Sequence, residues 1–300
     1  MNNKRYHTLL LLIVAMLWGL AYPLLKTTTA DTPTSLMLAL RFTLAGVVLL
    51  ILFYRRIRSN FSFDLLKQMF FVSTVQYADY FCYSFGMNFT SAINGGFYSG
   101  IPLLFIPFIL LVWDKKPLKG QKLWAIAIII VGVFLLSSDS GRITFNIGDL
   151  FCLAASFLFG LYIVMTGRGQ LRNYDPLTRT AMQMFSVALW AWITAAVTGD
   201  LPAIATIGLI SWRNIILMGI FCTAAAFALQ LFVQDQVNPL AASIIYATLP
   251  LFAALFSVLL LGERLGVLGV AGGLIICGGI IARELSLNHA AKKANLLAKN

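Results

Sequence analysis

Residues 247–265 read ATLPLFAALFSVLLLGERL: a proline at Pro250, thirteen charge-free residues from Leu249 to Leu261, then the acidic-basic pair Glu263-Arg264. Residues 99–115 read SGIPLLFIPFILLVWDK, with Pro102 near the start and Asp114-Lys115 closing the apolar run. Each stretch leads into a further glycine-dotted apolar segment, Ile126–Leu136 and Val267–Ile281. Upstream, Leu17-Trp18-Gly19-Leu20 is matched by Leu158-Phe159-Gly160-Leu161. The offset is about half the chain, so one unit is written twice.

Composition says where that unit lives. Of 300 residues, 60% are hydrophobic and 11% charged, against about 25% charged in soluble domains. Too few polar residues remain to clothe a soluble protein of this size. A soluble enzyme, a disulfide scaffold and a disordered chain are excluded, and the chain is an integral membrane protein. The apolar runs do not alternate with polar residues as barrel strands do. Ten helical spans are expected, at 8–25, 35–54, 66–87, 92–113, 121–137, 147–167, 176–198, 213–235, 240–261 and 265–284, at about 20 residues per crossing. The first run lacks a small-residue cleavage site and reads as a span, not a signal peptide.

Basic residues orient the bundle. Sorted by loop, Lys4, Arg5, Arg55, Arg56, Arg58, Lys67, Lys115, Lys116, Lys119, Lys122, Arg168, Arg172, Arg179, Arg283, Lys292, Lys293 and Lys299 share the side of the N-terminus, while Lys26, Arg142, Arg213 and Arg264 take the other. Short Lys/Arg-rich loops stay cytoplasmic, so both termini are expected there. The net charge of +11 is then a topology signal and not a nucleic-acid footprint. Five spans per unit is an odd number, so the second copy must enter the bilayer upside down. The expected units are residues 1–139 and 140–285, followed by a basic cytoplasmic tail at 286–300. Inverted repeats enclosing a midplane site are a signature of secondary transporters.

The residues resemble the drug/metabolite transporter superfamily, and within it the EamA-type ten-helix exporters. The resemblance runs from about Leu9 to Ala282. It is carried by Trp18-Gly19 with Pro23, Leu40-Arg41-Phe42, Gly148-Asp149-Leu150 and, most specifically, the seam from Pro250 to Leu265. The tyrosine-rich third span ending Phe85-Gly86-Met87 is similar to the amino-acid-exporting branch. Asp114 stands where these proteins commonly carry Glu, and Gln234-Asp235-Gln236 where apolar or aromatic residues are usual.

Two charges fall inside spans, Arg41 and Asp79, and intramembrane charges tend to face partners or water. They can pair with each other, or Arg41 can hold a substrate carboxylate while Asp79 faces its amine or titrates as a proton site. A structural Arg41, bonded within the bundle, is the competing reading. Gln76, Asp79, Tyr80 and Tyr83 share a helix face by their spacings of three, four and seven. Thr223, Gln230 and Gln234 make a second polar stripe, with plain interhelical hydrogen bonding as its alternative. Trp18, Tyr22, Asn94, Phe97, Tyr162 and Tyr246 complete the expected cavity lining, and Pro102 and Pro250 are expected hinges. Cys82, Cys152, Cys222 and Cys277 have no metal-ligand spacing, and no P-loop or dinucleotide turn occurs. No cofactor or metal is expected. The expected partners are a small-molecule substrate and the lipid of a bacterial inner (plasma) membrane, crossed many times, with monomer and homodimer both open. The expected activity is export of a small metabolite, an amino acid by the resemblance. A membrane receptor or enzyme using the same cavity is the alternative.

Overall fold

In the computed structural model, residues 2–115, 128, 131–132, 135, 138–139, 142–143, 145–166, 171, 173–233, 245–246, 248–279 and 281–282 are described. The chain is helical. α1 (Asn2–Thr28) carries Pro23 inside it, and the Thr27 hydroxyl donates to the Pro23 and Leu24 carbonyls of its last turns. α2 (Thr34–Asn60) runs on past the expected span and kinks at Phe53, just before Tyr54, Arg55 and Arg56. α3 (Phe63–Gly86) starts at Ser62, whose hydroxyl accepts from the Leu65 amide at 3.0 Å.

The fourth expected span is two helices, α4 (Ala92–Tyr98) and α5 (Pro102–Asp114), parted at Ser99-Gly100-Ile101. Pro102 does not interrupt a helix; it sits in the first turn of α5, where its missing N–H is not needed. α6 (Ile147–Thr166) and α7 (Pro176–Val197) follow, with a two-residue antiparallel ribbon before α6, β1 (Ser138–Asp139) and β2 (Arg142–Ile143), that the sequence reading did not foresee. α8 (Leu209–Val233) changes to wide π winding over Met218–Ala225. α9 (Leu249–Leu261) again opens with a proline in its first turn, Pro250, and closes on Gly262 in the left-handed region (φ 64°). α10 is Val267–Gly279. Of the fifth expected span only Ile128, Val131, Gly132 and Leu135 are described, and all four are helical. Residues 240–244 and the tail at 286–300 lie outside the described residues.

Among the described residues, five helices are each long and apolar enough to cross a membrane: Tyr6–Thr28 of α1, α2, α6, α7 and α8. Their outward faces carry large apolar side chains such as Ile51, Leu52, Phe157, Leu189 and Leu209, as lipid-facing surfaces require.

The packing partners repeat under a shift of five spans. α3 packs on α6 and α7, and α8 packs on α1 and α2; α1 packs on α9, and α6 on α4 and α5; α2 meets α7 and α4 meets α9. Gly132 lies against Ile276 and the Gly272 carbonyl, so the fifth span meets α10. Exchanging each span with its counterpart returns these contacts, while α1 also packs on α4 without a comparable contact between α6 and α9 among the described residues. The copies are antiparallel: Glu263, just beyond α9, bonds the first residues of α4, whereas Lys115 lies at the far end of α5. The two repeats therefore insert with opposite sense, related by an axis across the helices.

Candidate functional site

The two intramembrane charges lie on neighbouring helices, α2 and α3, each 7% exposed. They are not an ion pair. Among the described residues the one salt bridge is Arg56–Asp175, at 2.6 Å. Of the alternatives left open for Arg41, the pair with Asp79 does not form: Arg41 Nε donates to Thr223 Oγ1 at 3.0 Å, inside the π-wound stretch of α8, a bond within the bundle of the kind the structural reading named. The Arg41 guanidinium also lies over the Phe42 ring, 5.3 Å from its centroid. For the Asp79 carboxylate no hydrogen-bond partner exists among the described residues. It lies within electrostatic reach of Tyr22, Tyr80, Tyr83 and Tyr162, on α1, α3 and α6.

A polar chain crosses the same region. The Tyr162 hydroxyl donates to Gln183 Oε1 at 2.8 Å, Gln183 Nε2 donates to Gln76 Oε1, and Gln76 Nε2 donates to the Tyr80 hydroxyl at 3.4 Å. Gln183, on α7, was not among the expected site residues. Its signal was the internal repeat. Gln183 follows Arg41 by 142 residues and Thr223 follows Gln76 by 147, both inside the offset of the duplicated motifs. Arg41–Thr223 bridges α2 and α8; Gln183–Gln76 bridges α7 and α3. These are one clasp written twice, with a cation in only one copy.

The remaining expected residues divide. Tyr22 stacks edge-on to Tyr83 (5.6 Å between centroids) and turns its hydroxyl toward Ser99. The Tyr83 hydroxyl lies against Gly95, where a Cβ would come within 2.7 Å of it, and has no hydrogen-bond partner among the described residues. Trp18, Phe227 and Tyr246 form a second aromatic group, at 5.4 and 5.6 Å from Trp18. There the Tyr246 hydroxyl faces Gln230. Asn94 lies half-buried on α4, its amide N–H held by Ser91. Phe97 does not join the site: its ring presses on Gly273 of α10, where a Cβ would come within 2.3 Å, and it is buried with Tyr98, Cys152 and Ile276. Small residues on α10 leave the hollow that this ring fills. Gln234 lies outside the described residues.

Glu263 and Gly148-Asp149, which helped to carry the resemblance, hold helix ends together, with Lys26 and Asn146 beside them. Glu263 accepts from the Ala92 and Ile93 amides at 2.8 and 2.9 Å. Lys26 Nζ donates to the Met87 and Thr90 carbonyls. Asp149 accepts from the Thr90 hydroxyl and the Asn146 amide, while Asn146 accepts from Gly148 and Asp149. Gly148 and Gly86 approach so closely that a Cβ on either would meet the other's carbonyl within 2.8 Å. The short turn between α3 and α4 is thus gripped from α1, α6 and the α9–α10 link, through bonds the sequence spacing could not reveal.

The EamA-like transporter family model matches residues 6–138 and again 146–282. The chain belongs to this family. An uncharacterized transporter of Archaeoglobus fulgidus is 26% identical over 292 residues, covering 94% of this chain and 87% of its own. The uncharacterized transporter YoaV of Bacillus subtilis is 23% identical over 284 residues, covering 92% and 96%. A solved crystal structure superimposes with a TM-score of 0.63 at 16% identity over 97% of this chain and 99% of that one, a likeness of fold. Family and relatives make this EamA-like chain a multi-pass membrane transporter. Among the described residues no group of three or more His, Cys, Asp or Glu side chains is placed to hold a metal.

Proposed function

We propose that this EamA-like transporter exports a small zwitterionic metabolite, an amino acid, across the bacterial inner membrane by alternating access. The two inverted repeats would rock about the region where α2 meets α7 and α4 meets α9. The observation that carries this reading is the placement of Arg41 and Asp79. Two opposite charges are buried in adjacent spans, each 7% exposed and unpaired with the other, at a cost of at least ~2.5 kcal/mol each on insertion scales. A ligand bearing both a carboxylate and an ammonium would complete what each lacks. The tyrosines around Asp79 suit a cation, whose attraction to ring faces adds about 0.5–2 kcal/mol. Ser99-Gly100-Ile101, between α4 and α5, supplies the break at which the fourth span can bend, with Pro102 opening its second part; Pro250 takes the same place in α9. We assign the units as residues 1–139 and 140–285, and both termini to the cytoplasm.

Counterflow in liposomes loaded with labelled amino acids tests the reading. Uptake above protein-free liposomes is expected for at least one amino acid, and no uptake of any would refute it. Asp79→Asn separates coupling from binding. If Asp79 carries the coupled proton, pH-driven accumulation is lost while exchange survives.

A further inference from the structure

The chain Tyr162–Gln183–Gln76–Tyr80 has a direction. Each amide spends its oxygen on the preceding donor and its nitrogen on the following acceptor, so Gln183 and Gln76 both hand hydrogens toward Tyr80. A phenol that accepts keeps its own hydrogen to give. Tyr80 shares a neighbour with Arg41: its ring packs on Phe42 at 4.6 Å, and the Arg41 guanidinium lies over that same Phe42 ring. Arg41 spends only Nε on Thr223; no other hydrogen bond leaves the guanidinium among the described residues.

We propose that Gln183 is a positioning residue of the transport site: it holds the Gln76 amide so that the Tyr80 hydroxyl hydrogen stays free, and the site offers that donor beside Arg41 to an anionic group of the ligand. The inference rests on the zwitterion reading above and deepens it by assigning an end to each charge, the carboxylate at Arg41 and Tyr80 and the ammonium at Asp79. The opposite polarity, with both amides turned, would make Tyr80 donate into the chain and leave the site an acceptor there. In the pseudo-symmetric clasp the direction is fixed by chemistry alone, because a guanidinium can only donate and Arg41 gives to the Thr223 hydroxyl. Gln183 is 4% exposed and Gln76 1%, so solvent cannot take over either bond.

The test uses the full chain in lipid nanodiscs and three probes: L-phenylalanine, L-phenylalaninamide and phenethylamine. All carry the ammonium; only the first carries a carboxylate. Dissociation constants come from ligand-induced shifts in thermal unfolding. Losing one hydrogen bond to a charged group is worth about tenfold or more in affinity. Tyr80→Phe is therefore expected to weaken L-phenylalanine about tenfold and leave phenethylamine within about threefold. In Gln183→Met, a neutral change of similar volume, the orphaned Gln76 oxygen captures the Tyr80 hydrogen, and the same selective tenfold loss is expected. The double variant should lose nothing more, the non-additivity of two residues acting through one bond. Gln183→Leu replaces the methionine variant if that fails to fold. Equal weakening of all three probes, or an additive double variant, overturns the inference by making Gln183 merely structural. Failure of the wild-type protein to bind any of the three overturns this inference, while the zwitterion reading is decided separately by the amino-acid counterflow above.

Discussion

Asp175 shows how one carboxylate can serve two elements. It is the N-cap of α7, accepting from the Thr178 amide and hydroxyl at 2.9 Å each, and it takes two hydrogen bonds from Arg56 at the end of α2. Partial burial pushes its acidity the other way, but the Arg56 guanidinium and the Thr178 groups outweigh it and hold the carboxyl below the usual carboxylate range. A carboxyl depressed in the folded state adds stability above its unfolded pKa of about 3.9, and that stability drains away as pH falls through the lower folded value. Because the Arg56 side chain is about half exposed, at 49%, solvent screens the ion pair and its part is worth under about 1 kcal/mol. Asp175→Asn is expected to flatten the fall in thermal stability between pH 5 and pH 3, approximate bounds set by that range, measured by unfolding in detergent. An unchanged acid slope would remove Asp175 from the account. Arg41 makes the complementary point. Its charge was legible from the sequence, but its partner was not: which of Asp79 and Thr223 it bonds depends on how α8 winds beside α2.

At the scale of elements, the helix ends carry the family's motifs. Glu263 lies 171 residues from Ala92, yet its carboxylate occupies the N–H groups that open α4. A helix start leaves several amides without partners, and a carboxylate there also meets the positive end of the helix dipole. Glu263→Ala is expected to cost about 1–2 kcal/mol, by comparison with lost caps and unsatisfied buried amides, while Glu263→Gln keeps an acceptor and costs less. Thermal unfolding of both variants in nanodiscs checks the order; equal losses would mean the acceptor is not what matters. α5 and α9 were expected as the later parts of longer spans broken by proline. The prolines instead begin helices, because a residue that fixes its own φ and lacks an N–H fits the first turn. Both helices end on a left-handed residue, Lys115 (φ 53°) and Gly262 (φ 64°). Only the glycine adopts that conformation without a side-chain clash.

The whole molecule is governed by its internal exchange of spans. Glu263, just beyond the end of α9, sits on the first residues of α4, so the copies are antiparallel and corresponding loops are expected on opposite faces. Single cysteines at Lys115 and Arg264, in a background lacking Cys82, Cys152, Cys222 and Cys277, are expected to react with membrane-impermeant thiol reagents from opposite faces of sealed vesicles. Labelling of both from one face would rule out the inverted arrangement.

The ten apolar runs, the duplicated proline-to-charge motif and the one-sided distribution of Lys and Arg are local or additive properties, and lipid reads them directly. A span must be apolar whatever it packs against, so residence in the membrane, the two-repeat plan and the intramembrane charges Arg41 and Asp79 were legible before any coordinate. Which side chains meet is set by helix rotation, depth and winding, and these answer to the shapes of neighbours hundreds of residues away. That is why Phe97 left the expected lining for a hollow beside Gly273, why Gln183 entered it, and why Arg41 turned to Thr223. Hydrophobicity decides that a helix crosses; only the packed bundle decides which of its faces looks inward.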